Sequence, residues 1–143
     1  MTGANKEQSG QIKILLVDDE EGYVNVLAKR MAKRQVEVMI ALSGAEAIQT
    51  LRKNDFDVAV VDLKMEDMDG IEVLKIFKKM DPELPVVMLT GHGSEKAARD
   101  GLALGAFDYL TKPCDLEELL ATIIKAAEQR SEYGGKVQGT SGG

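Results

Sequence analysis

The sequence has little of what secreted and membrane-bound chains depend on. It contains a single cysteine, Cys114, which excludes an internal disulfide framework. The chain starts with polar residues, and it has neither an apolar signal region nor an apolar run long enough to span a membrane. We therefore expect a cytoplasmic protein with no membrane segment.

Basic residues are scarce relative to acidic ones. The 143 residues include 18 Lys and Arg against 24 Asp and Glu, which gives a formal net charge of −6, and the basic residues form no stripe. This balance argues against direct binding of nucleic acid or of an acidic membrane surface. The one histidine, His92, is predicted to be a loop residue and not a phosphodonor.

The chain does have enough apolar residues, 44%, for the core of one domain, but too few residues for two domains. Residues 1–11 are polar and are predicted to form a flexible segment. Residues 12–132 are predicted to form the domain, and the glycine-rich residues 133–143 a flexible tail. Neither end is expected to carry chemistry.

Strand-like and helix-like segments alternate five times along the domain. The strand candidates are runs rich in Val, Ile and Leu, at 12–17, 36–41, 56–61, 86–89 and 107–110. Apolar residues at helical spacing between and after these runs predict five helices. Such an alternation predicts an α/β domain with a parallel sheet and helices on both of its faces.

A polar or charged residue stands at the end of four strand candidates: Asp18 and Asp19 at the first, Asp62 at the third, Thr90 at the fourth and Lys112 at the fifth. Because the carboxyl ends of parallel strands share one edge of a sheet, we expect these side chains to converge. Gathering unpaired charges is costly, so a general folding need does not explain the set. It indicates a site for a divalent cation and a phosphoryl group.

Five short motifs give the chain a family resemblance. They are Leu-Leu-Val-Asp-Asp-Glu at 15–20, Val-Val-Asp-Leu-Lys-Met at 60–65, Met-Asp-Gly at 68–70, Met-Leu-Thr-Gly at 88–91 and Gly-Ala-Phe-Asp-Tyr-Leu-Thr-Lys-Pro at 105–113. Together and in this order, they resemble the receiver (CheY-like) domain of two-component response regulators. The resemblance implies a flavodoxin-like, doubly wound sheet of five parallel strands in the order 2-1-3-4-5, with five helices.

The resemblance also implies a metal site. Asp18 and Asp19 would hold Mg²⁺ together with Asp62 and the backbone carbonyl of Lys64, and Mn²⁺ could replace the Mg²⁺. These are the oxygen ligands that Mg²⁺ prefers. A hard cation would also relieve the repulsion among the three carboxylates.

By the same resemblance, Asp62 is the phosphoacceptor. Lys112 would pair with the phosphoryl oxygens as a flexible point charge, and the Thr90 hydroxyl would donate a hydrogen bond to them. Thr90 and Tyr109 would form the switch, with Tyr109 rotating from a solvent-facing to a buried position. The Lys112-Pro113 bond is expected to be cis.

The implied function is a phosphoacceptor receiver of a two-component system or phosphorelay, and not an enzyme. A histidine kinase or phosphotransfer protein would phosphorylate Asp62 in the presence of Mg²⁺. A downstream protein, or an output domain missing from this chain, would respond to a surface of residues 94–104, 107–110 and 115–130, which could also form a dimer. Autophosphorylation from small acyl phosphate donors and autodephosphorylation are expected as well.

An alternative interpretation is a Mg²⁺-dependent phosphatase that uses an Asp nucleophile on an external substrate. Its basis is Asp67-Met68-Asp69-Gly70, which resembles the nucleophile loop of haloacid-dehalogenase-type phosphatases. That loop should directly follow a strand, but residues 63–66 intervene here. Asp69 followed by Gly70 fits better as the start of the third helix, and so compact a chain lacks the loops of a substrate pocket.

One position departs from the family pattern. The loop after Asp62 often carries Met-Pro, whereas Met65 is followed here by Glu66. Glutamate removes the fixed φ of proline and adds a negative charge near the site. The family pattern therefore does not set the rigidity of this loop or the lifetime of the phosphoryl group.

Overall fold

A computed structural model describes residues 11–91 and 93–142, with side-chain surroundings up to Ser131. Ten elements alternate along the chain: β1 (Ile12–Val17), α1 (Glu21–Ala32), β2 (Val36–Ala41), α2 (Gly44–Lys53), β3 (Val58–Asp62), α3 (Gly70–Met80), β4 (Val86–Thr90), α4 (Glu95–Ala103), β5 (Asp108–Thr111) and α5 (Leu116–Gly142). The strands form one parallel sheet in the order β2-β1-β3-β4-β5. The predicted flavodoxin-like α/β fold with five helices is confirmed.

The sheet separates two hydrophobic cores. Leu15 and Val17 of β1 belong to the core that α2, α3 and α4 cover, whereas Ile14 and Leu16 belong to the core that α1 and α5 cover. Every residue of β3 and β4 is buried. Burial on both faces explains why these strands are continuous apolar runs in the sequence.

Two central strands extend one residue further than the apolar runs predict. Asp62 pairs with Leu89 in the ladder between β3 and β4, and Thr90 pairs with Thr111 in the ladder between β4 and β5. The apolar pattern stops before Asp62 and Thr90, but the backbone hydrogen bonding does not. The sheet itself therefore fixes the backbone of these two site residues.

Side-chain caps start two helices, and the sequence predicts the one at Asp69. The Ser43 hydroxyl accepts a hydrogen bond from the Glu46 N–H at 3.1 Å before α2, and the Asp69 carboxylate accepts one from the Ile71 N–H at 2.8 Å before α3. The Asp69 cap agrees with the interpretation of residues 67–70 as a helix start. A phosphatase loop would need a strand directly before residues 67–70, but β3 ends at Asp62.

The last helix is longer than predicted. α5 runs to Gly142, so the backbone of residues 133–142 is helical, whereas the composition predicts a flexible tail. Each i to i−4 hydrogen bond can extend an existing helix, even through glycines that cost about 1 kcal/mol each relative to alanine. The domain boundary at residue 132 stays a prediction.

Some sequence predictions fall on residues that the structure does not describe. These are the flexible segment, apart from Gln11, and the loop position of His92. Within the described ranges, no helix is both long enough and apolar enough to cross a membrane.

Candidate functional site

Four strand ends bring predicted site residues to one edge of the sheet. Asp18 follows β1 and is fully buried, Asp62 ends β3 and is 5% exposed, and Thr90 ends β4 and is fully buried. Lys112 follows β5, and its backbone N–H donates to the Thr90 carbonyl at 2.7 Å. This bond holds the lysine backbone beside β4, so the convergence expected of a parallel sheet is present.

The ammonium of Lys112 lies among three carboxylates. Its Nζ is 2.6 Å from Glu20 Oε1, 2.9 Å from Asp18 Oδ2 and 3.7 Å from Asp62 Oδ1. Burial acts to lower the pKa of Lys112, but the hydrogen bonds to Glu20 and Asp18 outweigh it and raise that pKa above its usual range. Lys112 is therefore a permanent cation in the pocket.

The surroundings of Asp62 disfavour its charge. Burial raises the pKa of Asp62, the charge of Asp18 raises it further, and Asp19 acts in the same direction. The Lys112 ammonium and a hydrogen bond from the Lys64 backbone N–H act against these effects, and the resulting pKa is about 6. One ammonium does not balance the carboxylates around it.

Two residues that the sequence motifs do not predict contact Lys112. Glu20 stands inside a quoted motif, but an acidic residue just before a helix is ordinary there, so nothing singled it out. The Asp18 carboxylate accepts a hydrogen bond from the Glu20 N–H at 2.9 Å, and this turn brings the Glu20 side chain within reach of Lys112. The ring centroid of Tyr23, on α1, lies 4.7 Å from Lys112 Nζ.

Asp19 contacts the loop after β3. Its Oδ2 accepts a hydrogen bond from the Glu66 backbone N–H at 3.0 Å, which ties it to the loop after β3. Asp19 and residues 63–69 of that loop together line a cavity of about 560 Å³. The predicted role of Asp19 as a metal ligand stays a prediction.

The loop of residues 63–69 is anchored to α2 as well. The carboxylate of Asp67 accepts hydrogen bonds from the N–H groups of Gly44 at 3.0 Å and Ala45 at 3.1 Å. The bond from Gly44 is the main reason that the pKa of Asp67 lies below its usual range. Asp67 therefore caps a helix that is distant in sequence, which no local motif predicts.

Gly70, the first residue of α3, lies against the backbone of the phosphoacceptor candidate. Its N–H donates to the Leu63 carbonyl at 3.0 Å. A Cβ at this position would lie 2.5 Å from the Asp62 carbonyl oxygen and 2.7 Å from the Leu63 Cα. Only glycine allows α3 to start this close to the end of β3.

The other predicted site residues are Thr90, Tyr109 and Lys64. The Thr90 hydroxyl donates to the Gly91 carbonyl at 3.2 Å, and Tyr109 is partly buried against the core under α2, α3 and α4. Lys64 has an exposed side chain in the loop after β3. The Lys112-Pro113 bond is cis, as expected. The switch roles of Thr90 and Tyr109 and the ligand role of the Lys64 carbonyl stay predictions.

The donor set fits Mg²⁺. One carboxylate oxygen from each of Asp18, Glu20 and Asp62 lies within 4.8 Å of the other two, so the three could surround one ion if the Lys112 ammonium that contacts them moved aside. Carboxylate oxygens are the ligands that Mg²⁺ prefers, and a cation would offset both the burial and the repulsion from Asp18 that raise the pKa of Asp62. Asp19, the predicted ligand, lies outside this cluster, and Glu20 lies within it.

Comparison with known sequences agrees with the motif resemblance. A family model of the response regulator receiver domain matches residues 14–124. The transcriptional regulatory protein ZraR of Salmonella typhimurium is 35% identical over 132 residues, which is 92% of this chain and 30% of ZraR. The chain therefore spans less than a third of that relative.

Two crystal structures have the same fold as this chain. A response regulator receiver domain protein from Clostridium thermocellum gives a TM-score of 0.83 at 31% identity and covers 85% of this chain and 98% of its own. A structure described as adenylate cyclase from Rhodopirellula baltica gives a TM-score of 0.87 at 31% identity, with coverages of 92% and 98%. Both similarities extend over nearly the whole of the compared chains.

Proposed function

This chain belongs to the response regulator receiver domain family, and from that membership we propose that it is a phosphoacceptor switch in which Asp62 receives the phosphoryl group. The observation that carries the proposal is the Lys112 ammonium, 3.7 Å from Asp62 in a pocket where both side chains are mostly buried. A carboxylate in such a place can act as a nucleophile and still have a cation at hand for the charge that arrives.

The metal would be held by the same edge of the sheet. Asp18 and Asp62 would bind Mg²⁺, or Mn²⁺, and the family resemblance adds Asp19 and the backbone carbonyl of Lys64 as further ligands. Bound there, the ion would neutralise the carboxylates and the oxygens of the incoming phosphoryl group. The pKa of Asp62, which burial and then the charge of Asp18 raise, supports this assignment because a cation would favour the ionised form.

During transfer, an Asp62 carboxylate oxygen would bond to phosphorus as the bond from phosphorus to the donor's leaving group breaks. Lys112 would move from Glu20 and Asp18 to the phosphoryl oxygens, and the Thr90 hydroxyl would turn from the Gly91 carbonyl to donate to them. Because the pocket positions the transfer, a small acyl phosphate could also serve as donor. Water would later hydrolyse the aspartyl phosphate.

The output would be a change of surface. We propose that movement of Thr90 lets Tyr109 rotate inward, which alters the face made by α4, β5 and α5. α4 supports this role because it buries only Ala98 and Gly101, so few apolar contacts oppose its displacement. The same face could mediate dimerisation.

Membership of the family implies a histidine kinase as a partner and an output domain in the whole regulator. The chain spans only 30% of ZraR, so we propose that its output comes from a separate protein or from a domain outside this chain. The phosphodonor would be the kinase or a phosphotransfer protein. We propose that it acts in the cytoplasm and makes no direct contact with nucleic acid.

Phosphorylation of Asp62 can be tested directly. The protein is treated with a small acyl phosphate and Mg²⁺, and intact mass and peptide mass spectrometry locate the added phosphoryl group. We expect one group on Asp62 in the wild type and in Asp55→Asn, which removes an exposed carboxylate near the opposite end of β3. The proposal fails if the wild type stays unmodified or if Asp62→Asn still carries the group.

The switch is tested with Thr90→Ala. We expect this variant to accept phosphate but to show no phosphorylation-dependent change of amide exchange in α4. The wild type, treated with acyl phosphate or with beryllofluoride as a stable mimic, should show that change. If phosphorylated Thr90→Ala shows the same change of amide exchange in α4 as the wild type, Thr90 has no role in the switch.

A further inference from the structure

The sequence motifs do not predict one contact of the pocket, the hydrogen bond from the Glu66 backbone N–H to Asp19. The N–H donates to Asp19 Oδ2 at 3.0 Å, across 47 residues of sequence. We propose that this N–H is a positioning group that fixes the rotation of the Asp19 carboxylate, so that its other oxygen can serve as the predicted Mg²⁺ ligand; the inference rests on the proposed function. It concerns the backbone of Glu66 and not its exposed side chain.

The position of this N–H is fixed by the anchors of its own loop. On one side, Asp67 is bound to the N–H groups of Gly44 and Ala45 in α2. On the other, the Gly70 N–H is bound to the Leu63 carbonyl. With residues 63–69 held at both ends, the Glu66 N–H is directed at Asp19 without a large entropy cost at each binding event.

The orientation matters because a carboxylate has two oxygens. With Oδ2 occupied by the Glu66 N–H, the Oδ1 of Asp19 stays available, and the rotation of the side chain is restricted. Groups that hold a ligand in this way typically change metal affinity by about 10- to 100-fold when they are removed. Asp19 without the N–H would need to give up free rotation whenever it binds a cation.

Two substitutions at one position separate the N–H from the side chain. Glu66→Pro deletes the N–H and the charge together, and the frequent proline at this point of the family pattern makes it compatible with the loop. Glu66→Ala deletes the charge and keeps the N–H. The affinity for Mg²⁺ is measured for the wild type and both variants by isothermal titration calorimetry, with thermal melts as a check of folding.

We expect Glu66→Pro to bind Mg²⁺ about tenfold more weakly than the wild type. We expect Glu66→Ala to stay within about threefold of it, because a single exposed charge is screened by salt. Equal affinities of Glu66→Pro and the wild type would overturn the proposal. So would an equal loss in both variants, since that would assign the effect to the charge.

A second measurement does not depend on the metal or on the folding of Glu66→Pro. Amide hydrogen exchange of Glu66 is compared in metal-free wild type and in Asp19→Ala. We expect the exchange to be faster in the variant, with the Gly44 amide, which Asp67 binds, unchanged as the internal control. Equal exchange of Glu66 in both proteins would overturn the inference. A wild type that does not bind Mg²⁺ would instead overturn the metal part of the proposed function.

Discussion

Lys112 Nζ lies closer to Glu20 than to either aspartate of the pocket, at 2.6 Å against 2.9 Å for Asp18 and 3.7 Å for Asp62. The residue nearest to the ammonium is therefore one for which the motifs predict no role. Glu20 is 62% exposed at its side chain, while that of Asp18 is fully buried. The ammonium thus connects a buried carboxylate to one that faces the solvent.

The first prediction concerns the ion pair between Glu20 and Lys112. Glu20→Gln removes one negative charge from the pocket and weakens a bond that competes with Asp62 for the Lys112 ammonium. We expect phosphorylation by a small acyl phosphate to become about two- to fivefold faster, with stability changed by less than about 1 kcal/mol. Phosphate-affinity gel electrophoresis over time measures the rate. Glu21→Gln, which removes the neighbouring charge, should keep the wild-type rate, and an equal gain there would contradict a specific role of Glu20.

The second prediction concerns the loss of the ammonium. Lys112→Ala leaves the buried Asp18 and Asp62 carboxylates without their cation, and we expect the metal-free protein to lose about 3 kcal/mol of unfolding free energy. Urea denaturation measures this loss. Mg²⁺ should restore part of the stability, since it supplies positive charge to the same carboxylates. Lys64→Ala, at an exposed loop lysine, should change stability by less than about 0.5 kcal/mol. Similar stabilities for the two variants would contradict the prediction.

The third prediction concerns pH. The folded protein holds the proton of Asp62 with a pKa of about 6, above the ordinary value of 3.8, so this residue makes the unfolding free energy fall as pH rises between about 4 and 6. The Asp62→Asn protein has no ionisable group at position 62. In metal-free buffer we expect it to be more stable than the wild type at pH 7.5, by up to about 3 kcal/mol, with the difference shrinking toward pH 4.

Urea denaturation of both proteins across this pH range measures that difference. Groups whose pKa is lowered by folding, such as Asp67 and Glu117, act in the opposite direction but are common to both proteins. The difference between the two proteins therefore isolates Asp62. A difference that stays constant from pH 7.5 to pH 4 would contradict the raised pKa.

The fourth prediction concerns glycine at the start of α3. Gly70→Ala places a methyl group 2.5 Å from the Asp62 carbonyl oxygen, and we expect a loss of about 2 kcal/mol or more together with slower phosphorylation. In α1, a Cβ at Gly22 meets no atom within 4 Å, so Gly22→Ala should stabilise the protein slightly. Thermal melts compare the two. A Gly70→Ala protein as stable as Gly22→Ala would show that the close approach has no cost.

The strand-end residues could be predicted from the sequence, but their contacts could not. Asp62 and Thr90 converge because parallel strands share an edge, and that follows from the alternation of strands and helices alone. The turn that brings Glu20 to Lys112, and the bond from the Glu66 N–H to Asp19, depend on backbone groups that carry no sequence signal. The cap of α2 by Asp67 is missed for the same reason, since its partners are 22 and 23 residues away.

The two cores on opposite faces of the sheet have an evolutionary consequence. Leu15 and Leu16 are neighbours in the chain, yet each packs with a different set of helices. Substitutions without shared packing partners tend to have additive effects on stability. A substitution in one core therefore changes little about which residues the other core can accept. The helices α1 and α5 can therefore diverge among descendants of this chain while α2, α3 and α4 keep their residues.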